Sequence, residues 1–130
     1  MSTKAPSRPP PSGKFFVHQP ARAQVRIERR EGTLLIEIED FISPTIVERL
    51  EMDVPLFKAQ IPDWRAMVDV IVIDTSYNRE VFNIALSNVP ERKDDLVNGR
   101  YELPAPEERT TVAIKITDML GEEVLVTQDV

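Results

Sequence analysis

The centre of the chain contains two apolar runs that flank a polar stretch, and residues 67–86 read MVDVIVIDTSYNREVFNIAL. The first run has two mostly apolar faces, with Val68, Val70 and Val72 on one and Asp69, Ile71 and Ile73 on the other. The second run places Phe82, Ile84 and Leu86 on a single face. Period-two alternation of β-branched and aromatic residues is typical of β-strands. The stretch therefore predicts a central β-hairpin whose first strand is covered on both sides and whose Asp69 needs a partner.

Two further hairpins are predicted by alternation around turn residues. Residues 21–28 and 34–39 alternate on either side of a turn that contains Gly32, and residues 111–117 and 124–126 alternate on either side of Gly121. Glycine suits such turns because it adopts positive φ without steric cost. On the solvent-facing side of the first hairpin, Arg26 is expected opposite Glu37 or Glu39.

Shorter elements complete the pattern. Ser43-Pro44 predicts the start of a helix that covers residues 44–52, because serine is a good N-cap and proline is favoured in the first turn. Residues 54–61, which contain Pro55, are predicted to be extended, and residues 14–19 (KFFVHQ) to form a short edge strand. Asn98-Gly99 predicts a turn before a strand that carries Tyr101 and Leu103.

Together these elements predict an all-β fold. Seven or eight short strands with tight turns, in a body of about 110 residues, indicate two packed sheets. We expect an immunoglobulin-like β-sandwich with one short helix over residues 14–130, with a closed barrel as the main alternative. Residues 1–13 contain four prolines and are predicted to be a disordered, extended linker.

Charge is unevenly distributed along the chain. Residues 1–30 contain seven basic side chains and one acidic one, whereas residues 31–130 contain nine basic and 21 acidic ones. A basic arm can contact a phosphate backbone with little base specificity, and an acidic body disfavours such contact. The alternative is that the arm is a solvated linker. The candidate DNA-contacting or partner-contacting residues of the arm are Lys14, Arg22, Arg26, Arg29 and Arg30.

Two loop regions provide the other candidate binding residues. Tyr77, Asn78 and Arg79 lie at the predicted tip of the central hairpin, where sandwich folds often carry recognition residues. Trp64, the only tryptophan, is predicted to be a buried anchor, because large aromatic side chains dominate core energetics. Its alternative role is an interface residue beside Arg65.

The sequence contains no catalytic or cofactor signature. Cysteine is absent, His18 is the only histidine, and there is neither a G-x-x-x-x-G-K-[ST] nor a G-x-G-x-x-G motif. Carboxylates near predicted strand ends (Asp74, Asp94, Asp95 and Asp118) lack EF-hand spacing and are predicted to be solvated turn residues. We therefore expect no enzyme activity, no cofactor and no metal. The lack of cysteine and of a long apolar segment favours the cytoplasm over a membrane.

Much of the chain resembles a known family. DFISPTIVERL, LFKAQIPDWRAMVDVIVIDTSYNREVFNIALSNVPERKDDLVNGRYELP and TTVAIKITDMLGEEVLV are similar to the C-terminal region of bacterial and archaeal adenine-specific DNA methyltransferases of the type III kind. The likeness covers about 90 residues, from Asp40 to Thr127. That family's (Asp/Asn)-Pro-Pro-(Tyr/Phe) motif is missing, since the only proline run, Pro9-Pro10-Pro11, is followed by serine. The resemblance thus implies a non-catalytic appendage of such an enzyme.

The expected function is accordingly that of an interaction module. In a restriction–modification setting it docks a restriction or methyltransferase subunit, or assists DNA binding through weak, non-specific contact. The alternative is an autonomous structural β-sandwich that associates with itself through an exposed sheet edge.

Overall fold

Seven strands and three short helices form the computed structural model, which describes residues 20–92 and 94–130. The strands are β1 (Arg22–Arg30), β2 (Thr33–Ile42), β3 (Val68–Asp74), β4 (Leu86–Asn88), β5 (Arg100–Pro104), β6 (Thr111–Asp118) and β7 (Glu123–Asp129). The helices are α1 (Pro44–Arg49), α2 (Val54–Gln60) and a 3₁₀ turn at Trp64–Met67. The predicted linker at 1–13 and the predicted strand at 14–19 lie outside the described residues.

The strands form two antiparallel sheets. One has the order β1-β2-β5 and the other the order β4-β3-β6-β7. The chain changes sheet after β2, after β4 and after β5, as in the immunoglobulin-like sandwiches. The predicted two-sheet sandwich is therefore confirmed, and the described strands do not close into a single barrel.

The two outer hairpins form as predicted. Arg30 pairs with Thr33 across a two-residue turn, and Glu31 and Gly32 both have positive φ (45° and 80°), which is the type I′ geometry that matches strand twist. Arg26 lies opposite Glu37 and forms an ion pair with it. The β6–β7 hairpin turns around Gly121, whose φ is 85°.

The core lies between the sheets, and the helices add the buried side chains of Ile46, Val47, Phe57 and Met67 to it. Its largest fully buried apolar side chains are Phe41, Phe57, Leu34, Ile36, Ile71, Ile73, Ile114, Ile116, Val97 and Val112. On β3, Ile71 and Ile73 are fully buried, whereas Val70 and Val72 on the other face remain partly exposed. A register shift between Val68 and Val70 interrupts the alternation, so Val68 is buried. Asp69 is exposed, so water solvates it and the partner expected for it is not required.

The prediction that residues 54–61 are extended is wrong, because they form α2. The carboxylate of Asp53 caps this helix by accepting a 2.8 Å hydrogen bond from the N–H of Leu56. Pro55 lies in the first turn, where a missing N–H costs nothing. One residue, Phe57, is completely buried and anchors the helix to the core.

The second strand of the central hairpin is shorter than predicted. Residues 75–85 form a loop, and β4 pairs with β3 only from Leu86 onward, with Ile73 opposite Leu86. Phe82 and Ile84, predicted to share a strand face with Leu86, lie in the loop instead, and 62% of Ile84 is exposed. The Asp74 side chain explains the difference, because its Oδ2 accepts the N–H of Asn83 at 2.7 Å and draws that N–H away from a strand ladder.

A close approach between Gly99 and Trp64 joins β5 to the 3₁₀ turn. Gly99 has φ of 84°, and a Cβ atom at this position would lie 2.9 Å from Cζ2 of Trp64. Trp64 is half-buried and packs against the core. Glycine is therefore required at position 99 for both its backbone conformation and its lack of a side chain.

Candidate interaction surface

The β3–β4 loop, residues 75–85, is fixed at both ends by one buried carboxylate. Asp74 is 1% exposed. Its Oδ1 accepts the N–H of Ser76 at 2.8 Å, and its Oδ2 accepts the N–H of Asn83 at 2.7 Å. A buried carboxylate is stable when its oxygens accept such bonds. Asp74 is thus a structural organiser of the loop, and the prediction that it is a solvated turn residue is wrong.

Tyr77 attaches the middle of the loop to sheet β4-β3-β6-β7. Its N–H donates to the carbonyl of Thr111 at 2.9 Å, and its ring centroid lies 5.9 Å from that of Phe82. The ammonium group of Lys115 lies 5.0 Å from the Phe82 centroid, within cation–π range. Tyr77 and Phe82 are both half-buried. The predicted recognition residue Tyr77 therefore contributes to the order of the loop.

Asn78 and Arg79 complete the turn. Oδ1 of Asn78 accepts the N–H groups of Glu80 and Val81, each at 2.9 Å, so its side chain replaces backbone partners in the manner of an Asx turn. Arg79 has φ of 70°, and its Nη2 lies 3.7 Å from Oδ1 of Asp129 on β7. The structure thus brings all three predicted tip residues together.

Val81 and Ile84 are the large apolar side chains that this fixed loop exposes. They are 58% and 62% exposed, respectively. Their neighbours in the loop are held by hydrogen bonds, so their exposure does not reflect missing order. Sequence reasoning assigned the 82–86 run to a strand and did not identify these two residues as surface candidates. The run of polar residues just before Val81 was the only signal that pointed to a loop.

The basic residues of β1 are mostly engaged within the protein. A hydrogen bond to Glu37 is the main reason that the guanidinium pKa of Arg26 is raised, and Glu39 lies 4.0 Å from the same side chain. Arg30 forms a 2.7 Å ion pair with Glu28. These residues belong to a regular strand and are not a free arm, so most of their charge is compensated.

Arg29 links the two sheets. Its guanidinium donates to the backbone carbonyls of Pro106, Glu108 and Val130, the last two at 3.1 Å and 3.3 Å. These carbonyls belong to the β5–β6 connection and to the residue after β7. Arg29 is therefore a tertiary cross-link, a role that its sequence position did not reveal.

The remaining basic candidates are Arg22 and Lys14. The side chain of Arg22 forms no ion pair with a described residue, and Lys14 lies outside the described residues. A depression of about 650 Å³ on sheet β1-β2-β5 has a charge-balanced lining of Arg26, Arg30, Arg100, Glu28, Glu37 and Glu102. Such a surface has no net attraction for phosphate.

Arg65 is held beside Trp64 by its own acidic neighbour. Its Nη2 lies 2.8 Å from Oδ2 of Asp63, and its Nη1 donates to the carbonyl of Val97 at 3.3 Å. The hydrogen bond from Arg65 lowers the pKa of Asp63 and raises that of Arg65. Trp64 and Arg65 thus form a partly buried structural corner.

Asn88 and Tyr101 join the two sheets at this corner. The Tyr101 hydroxyl donates to Oδ1 of Asn88 at 2.7 Å, the same atom accepts the N–H of Asn98 at 2.7 Å, and the hydroxyl oxygen accepts the N–H of Gly99 at 3.1 Å. Burial raises the pKa of the Tyr101 phenol. This network fixes the start of β5 against β4.

Asp118 is also buried, contrary to the expectation of a solvated turn residue. It is 0% exposed, and its Oδ1 accepts the N–H groups of Leu120 and Glu122 at 2.9 Å and 3.0 Å. Its Oδ2 has no hydrogen-bond partner among the described residues. No group of three or more His, Cys, Asp or Glu side chains in the described ranges could hold a metal ion.

The comparisons with known proteins identify no relative of this chain. Within residues 20–92 and 94–130, no helix has the length and apolar character needed to cross a membrane. No family model, no curated protein and no solved structure matches the chain.

Proposed function

We propose that this domain is a non-catalytic protein-docking module that uses the β3–β4 loop as its contact surface. The observation that carries the proposal is a loop fixed by Asp74, Tyr77 and Asn78 that nevertheless exposes Val81 and Ile84. The resemblance of residues 40–127 to the C-terminal region of type III-like DNA methyltransferases supports a cytoplasmic restriction–modification setting. The proposed partner is a restriction or methyltransferase subunit.

The order of the loop supports docking because binding then costs little conformational entropy. Ordering a side chain or loop on association costs about 0.5–1.5 kcal/mol for each immobilised side chain. The hydrogen bonds of Asp74 and Asn78 already hold the loop backbone in the free protein, so less of the loop has to be ordered on binding. Loops that a rigid scaffold holds in place often carry binding residues.

The distribution of charge favours a protein over DNA as the ligand. The described arginines of β1 pair mostly with carboxylates or backbone carbonyls, and residues 31–130 carry more than twice as many acidic as basic side chains. Any assistance to DNA binding is expected to be weak and to come from Arg22 and Lys14.

The docking proposal is tested with the full chain and the purified restriction and methyltransferase subunits of a type III system. We expect Val81→Asp and Ile84→Asp each to weaken binding to one of these subunits by at least about tenfold, as for a residue at the centre of an interface. Val89→Asp is the matched control, because Val89 is 55% exposed but lies outside the loop. Equal affinities for all three variants would overturn the assignment of the loop.

The DNA alternative is tested by fluorescence anisotropy with a short duplex at several salt concentrations. Removal of residues 1–30 would delete β1 and disturb the fold. The full chain is therefore compared with a variant in which two arginines of β1 are neutralised. We expect weak binding whose salt dependence changes little in an Arg26→Gln, Arg30→Gln variant, because both side chains are paired with carboxylates in the free protein. A steep salt slope that this variant loses would show that β1 contacts phosphates and would favour the DNA reading.

A further inference from the structure

The four sheet edges of the sandwich differ in how well they are protected against pairing with another strand. Edge β1 has a bulge between Gln24 and Val25 and four arginines, β4 has only three residues, and β5 includes Arg100 and ends at Pro104. Bulges, basic side chains, proline and short length all discourage edge pairing. Edge β7 has seven residues, EVLVTQD, with no bulge, no basic side chain and no proline, and its two acidic residues are its first and last.

The outer edge of β7 presents an alternating set of backbone groups. Thr110 and Val130 exchange both backbone hydrogen bonds, so they form the hydrogen-bonded type of antiparallel pair. Because hydrogen-bonded and non-hydrogen-bonded pairs alternate along an antiparallel ladder, Ile114 and Val126 are also a hydrogen-bonded pair. The N–H and C=O groups of Leu125 and Thr127 therefore point away from β6, toward the outer edge.

The core is incompletely covered beside this edge. Val124 and Val130 at β7, and Ala23 and Val25 on β1, are only partly buried although they pack against the core. Strands β1 and β7 contact each other across the two sheets, and Arg29 on β1 donates to the carbonyl of Val130. An additional strand on β7 would cover this side of the sandwich.

We propose that the outer edge of β7 is the docking site for this chain's own residues 14–19, which lie outside the described residues. This segment, KFFVHQ, precedes β1 by two residues, so it is tethered beside the strand that contacts β7. Six residues span about 20 Å when extended, enough to pair with six of the seven residues of β7. In an extended strand, Phe15 and Val17 would share one face. That apolar face could cover the partly buried core side chains beside β7.

Charge and tethering favour this occupant over a second copy of the chain. Glu123 and Asp129 are the first and last residues of β7, so either direction of an added strand would place Lys14 near one of these carboxylates. Two copies of the chain, each with a net charge of −6, repel one another. A segment tethered by a short linker acts at an effective concentration in the millimolar range. The inference does not depend on the proposed function of the β3–β4 loop.

Amide hydrogen exchange, followed by NMR on the full chain, tests the proposal. We expect the amides of Leu125 and Thr127 to exchange at least about a hundredfold more slowly in the wild type than in a Val17→Pro variant, because proline breaks the added strand. The amides of Ile114 and Val126, which face each other within the sheet, report that the variant is folded. Ser7→Pro is the matched control and should retain slow exchange.

Each other outcome would overturn the proposal. Fast exchange of Leu125 and Thr127 in the wild type would show an open edge, and unchanged protection in Val17→Pro would show a different occupant. Protection that increases with protein concentration, together with a dimer in light scattering, would show that the edge pairs with a second copy. If Val17→Pro fails to fold, a nitroxide on Val17→Cys of this cysteine-free chain must broaden the Leu125 and Thr127 resonances, and sharp resonances would contradict the docking.

Discussion

The carboxylate of Asp74 accepts the N–H of Asn83 across nine residues of chain, at 2.7 Å. The same carboxylate accepts the N–H of Ser76, so a single side chain closes the β3–β4 loop. Removing it leaves two backbone donors without partners and a void under the loop. We expect Asp74→Ala to lower the free energy of unfolding by about 2–4 kcal/mol, measured by urea denaturation. Asp74→Asn keeps one acceptor oxygen and should cost less, and an equal loss in both variants would contradict this account.

Val81→Asp and Ile84→Asp should leave stability nearly unchanged. Both side chains are more than half exposed, and surface substitutions outside special features usually change stability by less than about 0.5 kcal/mol. The same urea measurement is the check that any loss of partner binding reflects contact and not unfolding. A loss above about 1 kcal/mol would show that these side chains support the loop.

Among the three described glycines, Gly99 is expected to be the one whose substitution by alanine is most disruptive. The new Cβ would be strained by the positive φ and would lie 2.9 Å from the Trp64 ring, whereas at Gly32 the φ is equally positive but nothing lies within 4 Å. We expect Gly99→Ala to cost about 1–3 kcal/mol more than Gly32→Ala, the usual range for overpacking. The fluorescence of Trp64 reports the displacement. Combination with Trp64→Phe should recover part of the difference, and a strictly additive double mutant would argue against the contact.

Arg29 and Arg30 should differ in their importance, although they are adjacent. Arg29 donates to three backbone carbonyls that belong to other parts of the chain, whereas the exposed Arg30 forms one ion pair with a described residue, Glu28. We expect Arg29→Ala to cost about 1–2 kcal/mol and Arg30→Ala less than about 0.5 kcal/mol. Thermal unfolding of the two variants makes the comparison, and equal midpoints would show that Arg29 does not join the sheets.

The ion pair of Asp63 with Arg65 should contribute to stability at neutral pH and not in acid. The pKa of Asp63 is lowered in the folded protein, mainly by the hydrogen bond from Arg65. Its stabilising effect is therefore complete above the unfolded pKa of about 3.9 and is lost as the pH falls through the lower folded value. Because both side chains are partly exposed, the effect should not exceed about 1 kcal/mol. Arg65→Gln should flatten stability between pH 5 and 2, and an unchanged slope would exclude this contribution.

Local alternation and turn chemistry were sufficient to predict most strands. The β1–β2 and β6–β7 hairpins follow from the pattern around Gly32 and Gly121, because a one-residue shift would expose the core face. The error at α2 came from treating Pro55 as a break, although Asp53 two residues earlier was an N-cap signal of the same kind as Ser43. Strand β4 is shorter than predicted because the Asp74 side chain accepts a hydrogen bond from the N–H of Asn83. This contact is not encoded in the local alternation of apolar residues.

The candidate surface was less predictable than the fold. Tyr77, Asn78 and Arg79 were correctly placed in one loop, yet their side chains mostly order that loop. The neighbouring Val81 and Ile84 carry the exposed apolar area. The engagement of Arg29 depends on carbonyls more than 70 residues away, which no local pattern encodes.

The sheet order has a consequence for synthesis on the ribosome. Strand β3 pairs with β6, and Ile73 lies opposite Ile114. The ribosome therefore has to add about forty residues after Ile73 before this pair can form. At roughly 5–20 residues per second this interval lasts about 2–8 s. During that time Ile71 and Ile73 have no partner strand on the β6 side. The nascent domain is therefore most open to misassociation after β3 has emerged and before β6 has followed it, and a chaperone that covers apolar strands would act in that interval.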